Sequence, residues 1–296
     1  MPQIQANGIS LEYETLGDPA APPVLLIMGL GAQLIRWPEA FCQGLIEGGY
    51  RVVRFDNRDV GLSTKLSGKV RLGPMALRAT LGLPAAPPHT LPYTLDDMAG
   101  DALGLMDALQ LPPAHVIGVS MGGMIGQLLT ARHPQRVRSF VCMMSTSGSR
   151  KLPGPRLSLQ LSLIKPFPRS DPEARIRRTM DILRRIGSAT YPRDEAELRA
   201  QVTRELTRCD YPAGYLRQLA AIVGSPSRLS LLEQIKTPTL IVHGKDDPLV
   251  PVASAYDLHA RILDSELELL AGMGHELPKA LLPRVIERIL AHLRLH

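Results

Sequence analysis

Short apolar runs alternate with stretches of helical periodicity along most of this 296-residue chain. PVLLIMG at 23–29 is apolar without a break, the pattern of a strand buried on both faces. Comparable runs at 51–56 (RVVRFD), 115–120 (HVIGVS), 137–145, 238–244 (PTLIVHG) and 265–271 predict further strands. Between them, residues 38–48, 94–111, 121–132, 252–262 and 278–293 carry apolar positions at helical spacing. Thr94, with Asp97 three residues on, is placed to cap the second of these helices. Asn7-Gly8, between two strand-like stretches over 3–16, predicts an opening hairpin. Strands that alternate with helices in this way predict an α/β fold with a largely parallel sheet covered on both faces.

The rhythm breaks between Ser147 and Gln234. Pro, Arg and Ser become frequent there, no strand-like run appears, and amphipathic helices are separated by prolines. The expected organisation is therefore a core domain from 1–146 and 235–296, with an all-helical cap inserted at 147–234. A second irregular stretch, LGLPAAPPHTLP at 81–92, is too rich in proline for a helix and is expected to form a loop over one end of the sheet.

Composition narrows the function classes. At 45% hydrophobic the chain can bury one large core, although aromatics supply only 4%. The three cysteines (Cys42, Cys142, Cys209) show no CxxC spacing, which speaks against a disulfide framework or a metal site and for a reducing, cytoplasmic setting. MPQIQANGIS lacks the layout of a signal peptide, and the longest apolar run, about 12 residues, falls short of the roughly 20 that span a bilayer. The net charge of +6 arises mainly between residues 150 and 230, where Arg alternates with Glu and Asp as on solvated helix faces. Neither nucleic acid nor membrane is expected as a partner, and nothing indicates the oligomeric state.

The candidate chemistry centres on GVSMGG, where Gly118 and Gly122 flank Ser120 at the junction of a strand and a helix. A sharp strand-to-helix turn strains the corner residue and lifts its hydroxyl above the sheet edge, beside a helix N-terminus. A serine hydroxyl needs a base to act as a nucleophile. Of the eight histidines, His275 in LAGMGHELP is the one in a Gly-flanked loop after the last strand, where open α/β sheets carry function. His243 ends a strand nearby and is read as packing. An imidazole acting as base needs a carboxylate to orient it. HGKDDPLVP offers Asp246 and Asp247, and Asp247, stiffened by Pro248, is favoured, with Asp246 expected at the solvent or capping the turn. For the oxyanion, the expected donors are the backbone N–H groups of Met121 and of Leu30 in MGLGAQ. Met28, Gly29 and Met144 are expected to contact substrate, because methionine fits irregular apolar gaps, although ordinary core packing is an equal reading for Met144.

With GVSMGG, HGKDDPLVP, GMGHELP and MGLG in hand, the chain resembles the α/β-hydrolase superfamily over nearly its whole length. RFDNRDVGLS at 54–63 is similar to a family segment usually written D-x-R-G-x-G-x-S, with Asp59 where that pattern has glycine. R-D-x-G, LIMGLG and GMGHELP together resemble the aclacinomycin methylesterase branch and the bacterial carboxylesterases around it. The resemblance implies a mostly parallel eight-stranded sheet flanked by helices, a helical cap over the site, a small-molecule carboxylic ester as substrate and no cofactor. It departs from many relatives in placing Met28 where they have histidine. Asp56 and Arg58 are read as charges that fix their loop. The expected activity is hydrolysis of small to medium apolar esters by Ser120, Asp247 and His275 through an acyl-enzyme. The alternatives are a C–C bond hydrolase, a lyase or a cofactor-free haloperoxidase on the same fold, and a non-catalytic receptor for a small ligand.

Overall fold

Asn7 and Gly8 take left-handed backbone, with φ of 50° and 76°, and fold β1 (Gln3–Ala6) back onto β2 (Ile9–Leu16). The computed structural model describes residues 1–70, 72, 73, 75, 90–168 and 171–296. Most of the proline-rich stretch at 81–92, including His89, lies outside them. Among the described residues, β3 (Pro23–Ile27), β4 (Arg51–Phe55), β5 (Ala114–Val119), β6 (Val137–Met143), β7 (Thr239–Gly244) and β8 (Glu266–Leu270) join the hairpin in one eight-stranded sheet. The order is β1-β2-β4-β3-β5-β6-β7-β8. β1 and β2 run antiparallel, and every pairing from β4 to β8 is parallel.

The unbroken apolar strands are explained by two cores, one on each face. Side chains alternate along a strand, so Leu25 and Ile27 of β3 enter one core, while Val24 and Leu26 enter the other. Helices α2 (Leu95–Ala108) and α3 (Met121–Arg132) cover the first face, and α1 (Glu39–Glu47) covers the second. Thr94 and Asp97 form the reciprocal cap expected of them, with Asp97 N donating to Thr94 Oγ1 at 3.2 Å and Thr94 N to Asp97 Oδ2 at 2.7 Å.

Between β6 and β7 the described chain is helical: α4 (Leu157–Ile164), α5 (Pro172–Ile186), α6 (Glu195–Arg208), α7 (Pro212–Gly224) and the short α8 (Leu229–Leu232). These helices do not share one core. Leu159, Met180, Leu183, Ile186, Leu198 and Val202 form a separate apolar cluster among α4, α5 and α6. Ala221, Leu232 and Ile235 pack instead into the core beneath α2 and α3. The remaining helices, α9 (Ala253–Arg261) and α10 (Leu282–Leu295), flank β8 in sequence. α10 starts four residues later than its periodicity suggests, because a 3-10 turn at Lys279–Leu281 precedes it. β3 likewise stops at Ile27, and Met28-Gly29 already belongs to the loop, where Asn57 Nδ2 donates to the Met28 carbonyl at 3.0 Å. Among the described residues no helix is long and apolar enough to cross a membrane.

Candidate active site

β5 turns into α3 at Ser120, whose φ of 56° and ψ of −116° are strained for a residue with a side chain. The glycines around it answer to the backbone of neighbouring elements. A Cβ on Gly122 would stand 2.0 Å from the Ile27 carbonyl oxygen, and one on Gly118 would stand 2.3 Å from the Gly122 carbonyl oxygen. Strand and helix meet here without side chains between them. Ser120 N donates to the Met143 carbonyl at 2.9 Å and Ser145 Oγ to the Ser120 carbonyl at 2.8 Å, so both peptide groups of the corner are held.

The carboxylate and the imidazole meet as a pair. Asp247 is buried, and its Oδ1 accepts from the N–H groups of Leu249 and Val250, each at 2.8 Å. That leaves Oδ2 for His275 Nδ1, 2.6 Å away. With its proton on Nδ1, the ring keeps a lone pair on Nε2. Asp246 faces elsewhere, its Oδ2 accepting from Gly272 N at 2.8 Å in an exposed turn. His243 also approaches Asp247 Oδ2, at 3.6 Å, but its Nε2 donates to the Val250 carbonyl at 2.8 Å. Burial lowers the His243 pKa and favours its neutral form.

Ser120 and His275 line one cavity of about 1960 Å³, together with Met28, Gly29, Leu30 and Met144. Among the described residues no hydrogen bond joins Ser120 to His275. Met121 and Asp247 lie behind the cavity wall. The loop bearing Leu30 presses on the serine, and a Cβ on Gly29 would sit 3.2 Å from Ser120 Cβ. Neither the Leu30 N–H nor the Met121 N–H has an acceptor among the described residues. From the helical region, Leu163, Phe167, Leu183, Leu198 and Tyr215 line the cavity with apolar surface, and Arg193, Glu197, Arg204 and Glu205 add charged groups.

Several contacts that shape this site carry no local sequence signal. Gln218 on α7 accepts from Gly31 N and donates to the Arg58 carbonyl, both at 2.8 Å, which fastens the Leu30 loop to the helical region. Arg217, one residue before, makes a two-pronged ion pair with buried Asp59, at 2.7 and 2.9 Å. Asp59 takes φ of 69°, which explains why glycine is usual at this position. Asp56 accepts from Leu34 N at 2.7 Å and from Arg208 at 2.6 Å. Arg58 pairs with Asp101 at 2.5 and 2.6 Å. Neither Asp56 nor Arg58 lines the cavity.

Of the other candidate groups, Cys209 lines the cavity, whereas Cys42 and Cys142 do not. All three cysteines are free, and burial pushes the thiols of Cys42 and Cys142 up to about 11. Glu266, His292 and His296 bring three potential metal-ligand atoms within 4.8 Å of one another, but none of them lines the cavity.

A family model described as the alpha/beta hydrolase fold matches residues 22–278. Rhodomycin D methylesterase of Streptomyces sp. (strain C5) is 30% identical to this chain over 315 residues, spanning 98% of this chain and 97% of that protein. Its namesake from Streptomyces peucetius is 29% identical, with the same coverage of 98% and 97%. Among solved structures, an enol-lactonase from Burkholderia xenovorans LB400 aligns with a TM-score of 0.76 at 22% identity, covering 99% of this chain and 100% of that one. That last likeness is one of fold.

Proposed function

This chain belongs to the α/β hydrolase fold family, and from that premise we propose that it is a serine carboxylic ester hydrolase. Ser120 Oγ attacks the ester carbonyl while His275 Nε2 takes its proton. Asp247 stabilises the imidazolium that forms. The N–H groups of Leu30 and Met121 receive the developing oxyanion, and neither has a competing acceptor among the described residues. His275 then protonates the leaving alcohol, and a water molecule, activated by the same imidazole, releases the acid from Ser120.

The observation that carries this reading is the 2.6 Å bond between Asp247 and His275, with the other carboxylate oxygen fixed by two backbone N–H groups, beside a cavity that Ser120 also lines. Serine–imidazole hydrogen bonds commonly tighten only around substrate. Residues 147–234 act in this reading as a cap, and Leu163, Phe167, Leu183 and Leu198 among its lining residues support an acyl part that is itself apolar. The methylesterase relatives support a small alcohol part.

Treatment with a fluorophosphonate, followed by mass spectrometry, tests the reading directly. A mass gain located on Ser120, with turnover of short-chain p-nitrophenyl esters, is the expected result. An unlabelled Ser120 overturns every serine-nucleophile mechanism on this fold. Labelling without ester turnover would favour a lyase or C–C hydrolase instead.

A further inference from the structure

We propose that Glu276 is a positioning residue, through which the segment at 186–193, between α5 and α6, holds His275 at its working distance from Ser120. This rests on the reading of His275 as the base. The loop that carries His275 has two supports. Up to residue 273 it leans on the sheet: Asp246 N donates to the Met273 carbonyl at 3.1 Å, and Gly272 N donates to Asp246 at 2.8 Å. The backbone N–H groups of residues 274 and 275, and the side chain of residue 276, instead find their partners in the helical region. Gly274 N donates to Ser188 Oγ at 2.9 Å, and His275 N donates to the Ile186 carbonyl at 2.7 Å. Glu276 completes the clasp. Its Oε1 accepts from Ser188 N at 2.6 Å, and its Oε2 accepts from Arg193 Nε.

Three features separate this clasp from ordinary surface pairing. Glu276 is buried, with 6% of its surface exposed, so its carboxylate would be costly there without both partners. The two backbones touch: a Cβ on Gly274 would lie 2.4 Å from the Gly187 carbonyl oxygen. All three consecutive residues, 274 to 276, are held by the same short segment, and the middle one bears the imidazole. Asp247 fixes how the ring is turned, whereas the clasp fixes where its backbone stands. A displacement of about 1 Å in such a group can cost on the order of 10²-fold in rate. A shift of the segment at 186–193 would therefore carry the imidazole with it.

The test uses the full chain with Glu276→Ala, Glu276→Gln and Ser188→Ala. For each, kcat and KM are measured on a p-nitrophenyl ester, together with the rate of Ser120 phosphonylation and the deshielded Nδ1–H proton resonance of His275. In Glu276→Ala, kcat and phosphonylation should fall together by roughly 10- to 100-fold, with KM within about threefold of wild type and the resonance broadened or lost. Glu276→Gln, which keeps an acceptor for Ser188 N–H, should recover most of the rate. Ser188→Ala should show a smaller loss of the same kind and decides the matter if Glu276→Ala does not fold. Wild-type kcat and resonance in folded Glu276→Ala, or in both other variants, overturn the proposal, as does a change in KM alone. His275→Gln separates the two claims. If it abolishes phosphonylation while the Glu276 variants react normally, only the clasp fails; if it does not, the assignment of His275 as base fails first.

Discussion

Ser120 and His275 face the same cavity but are anchored in unlike ways. Ser120 is wedged into the sheet: its corner is fixed by backbone-to-backbone packing against β3, by the Met143 carbonyl and by Ser145. His275 hangs on a loop whose last three anchored residues are held by the helical region inserted more than eighty residues earlier. One side of the site is therefore as rigid as the core, and the other is only as well placed as the docking of a second set of helices. Rigid placement suits a nucleophile whose backbone geometry must be strained. In the proposed mechanism, a base placed by the helical region ties the chemistry to how that region docks.

Four changes would break or sharpen this contrast. The largest effect belongs to Ser120→Ala, which should remove ester turnover by 10⁴-fold or more while leaving the circular dichroism spectrum and melting temperature near wild type. Retained turnover would move the nucleophile elsewhere. Asp247→Asn should slow kcat by on the order of 10⁴-fold, by disfavouring the Nδ1–H tautomer, whereas Asp246→Asn should alter turnover little, since Asp246 caps an exposed turn. The reverse ranking would exchange the two carboxylates. Third, Arg217→Met leaves the buried Asp59 carboxylate without its guanidinium and should cost about 3–5 kcal/mol in denaturant unfolding. A loss below about 1 kcal/mol would mean that the helical region is held on by other contacts.

The smallest effect is on pH. Burial lowers the pKa of His115 to about 4 and also lowers those of His243 and His292. All three are therefore favoured neutral in the fold, and the unfolded chain binds more protons between about pH 4 and the ordinary histidine value of 6.5. Stability should then fall as the pH drops from 6.5 toward 4, seen as a decrease of a few degrees in melting temperature. His115→Gln should flatten that slope. A melting temperature that is level over this range would contradict the burial argument.

Much of the core was legible because burial on both faces leaves so simple a trace. Apolar runs marked the strands of the parallel sheet, and α3 occupies the same residues, 121–132, that its periodicity predicted. The turn at Ser120 was legible too: Gly122 makes room for the end of β3, and Gly118 for the first turn of α3. The pairing of Asp247 with His275 could be anticipated because both follow strands that end at one rim of the sheet. Gln218 on Gly31, Arg217 on Asp59 and Ser188 on Glu276 could not, since each joins residues more than eighty positions apart through the fold of the helical region. The one hint was Asp59 itself, an acid in a place where backbone geometry asks for glycine.

That residue has a consequence for engineering by exchange of modules. Asp59 makes the left-handed turn with its backbone and takes hold of a foreign helix with its side chain. A glycine there would keep the turn and abandon the helix, while alanine would forfeit the grip and strain the turn besides. Any chimera that swaps the 147–234 region for another must therefore carry a matching arginine, or rewrite position 59 on the recipient scaffold.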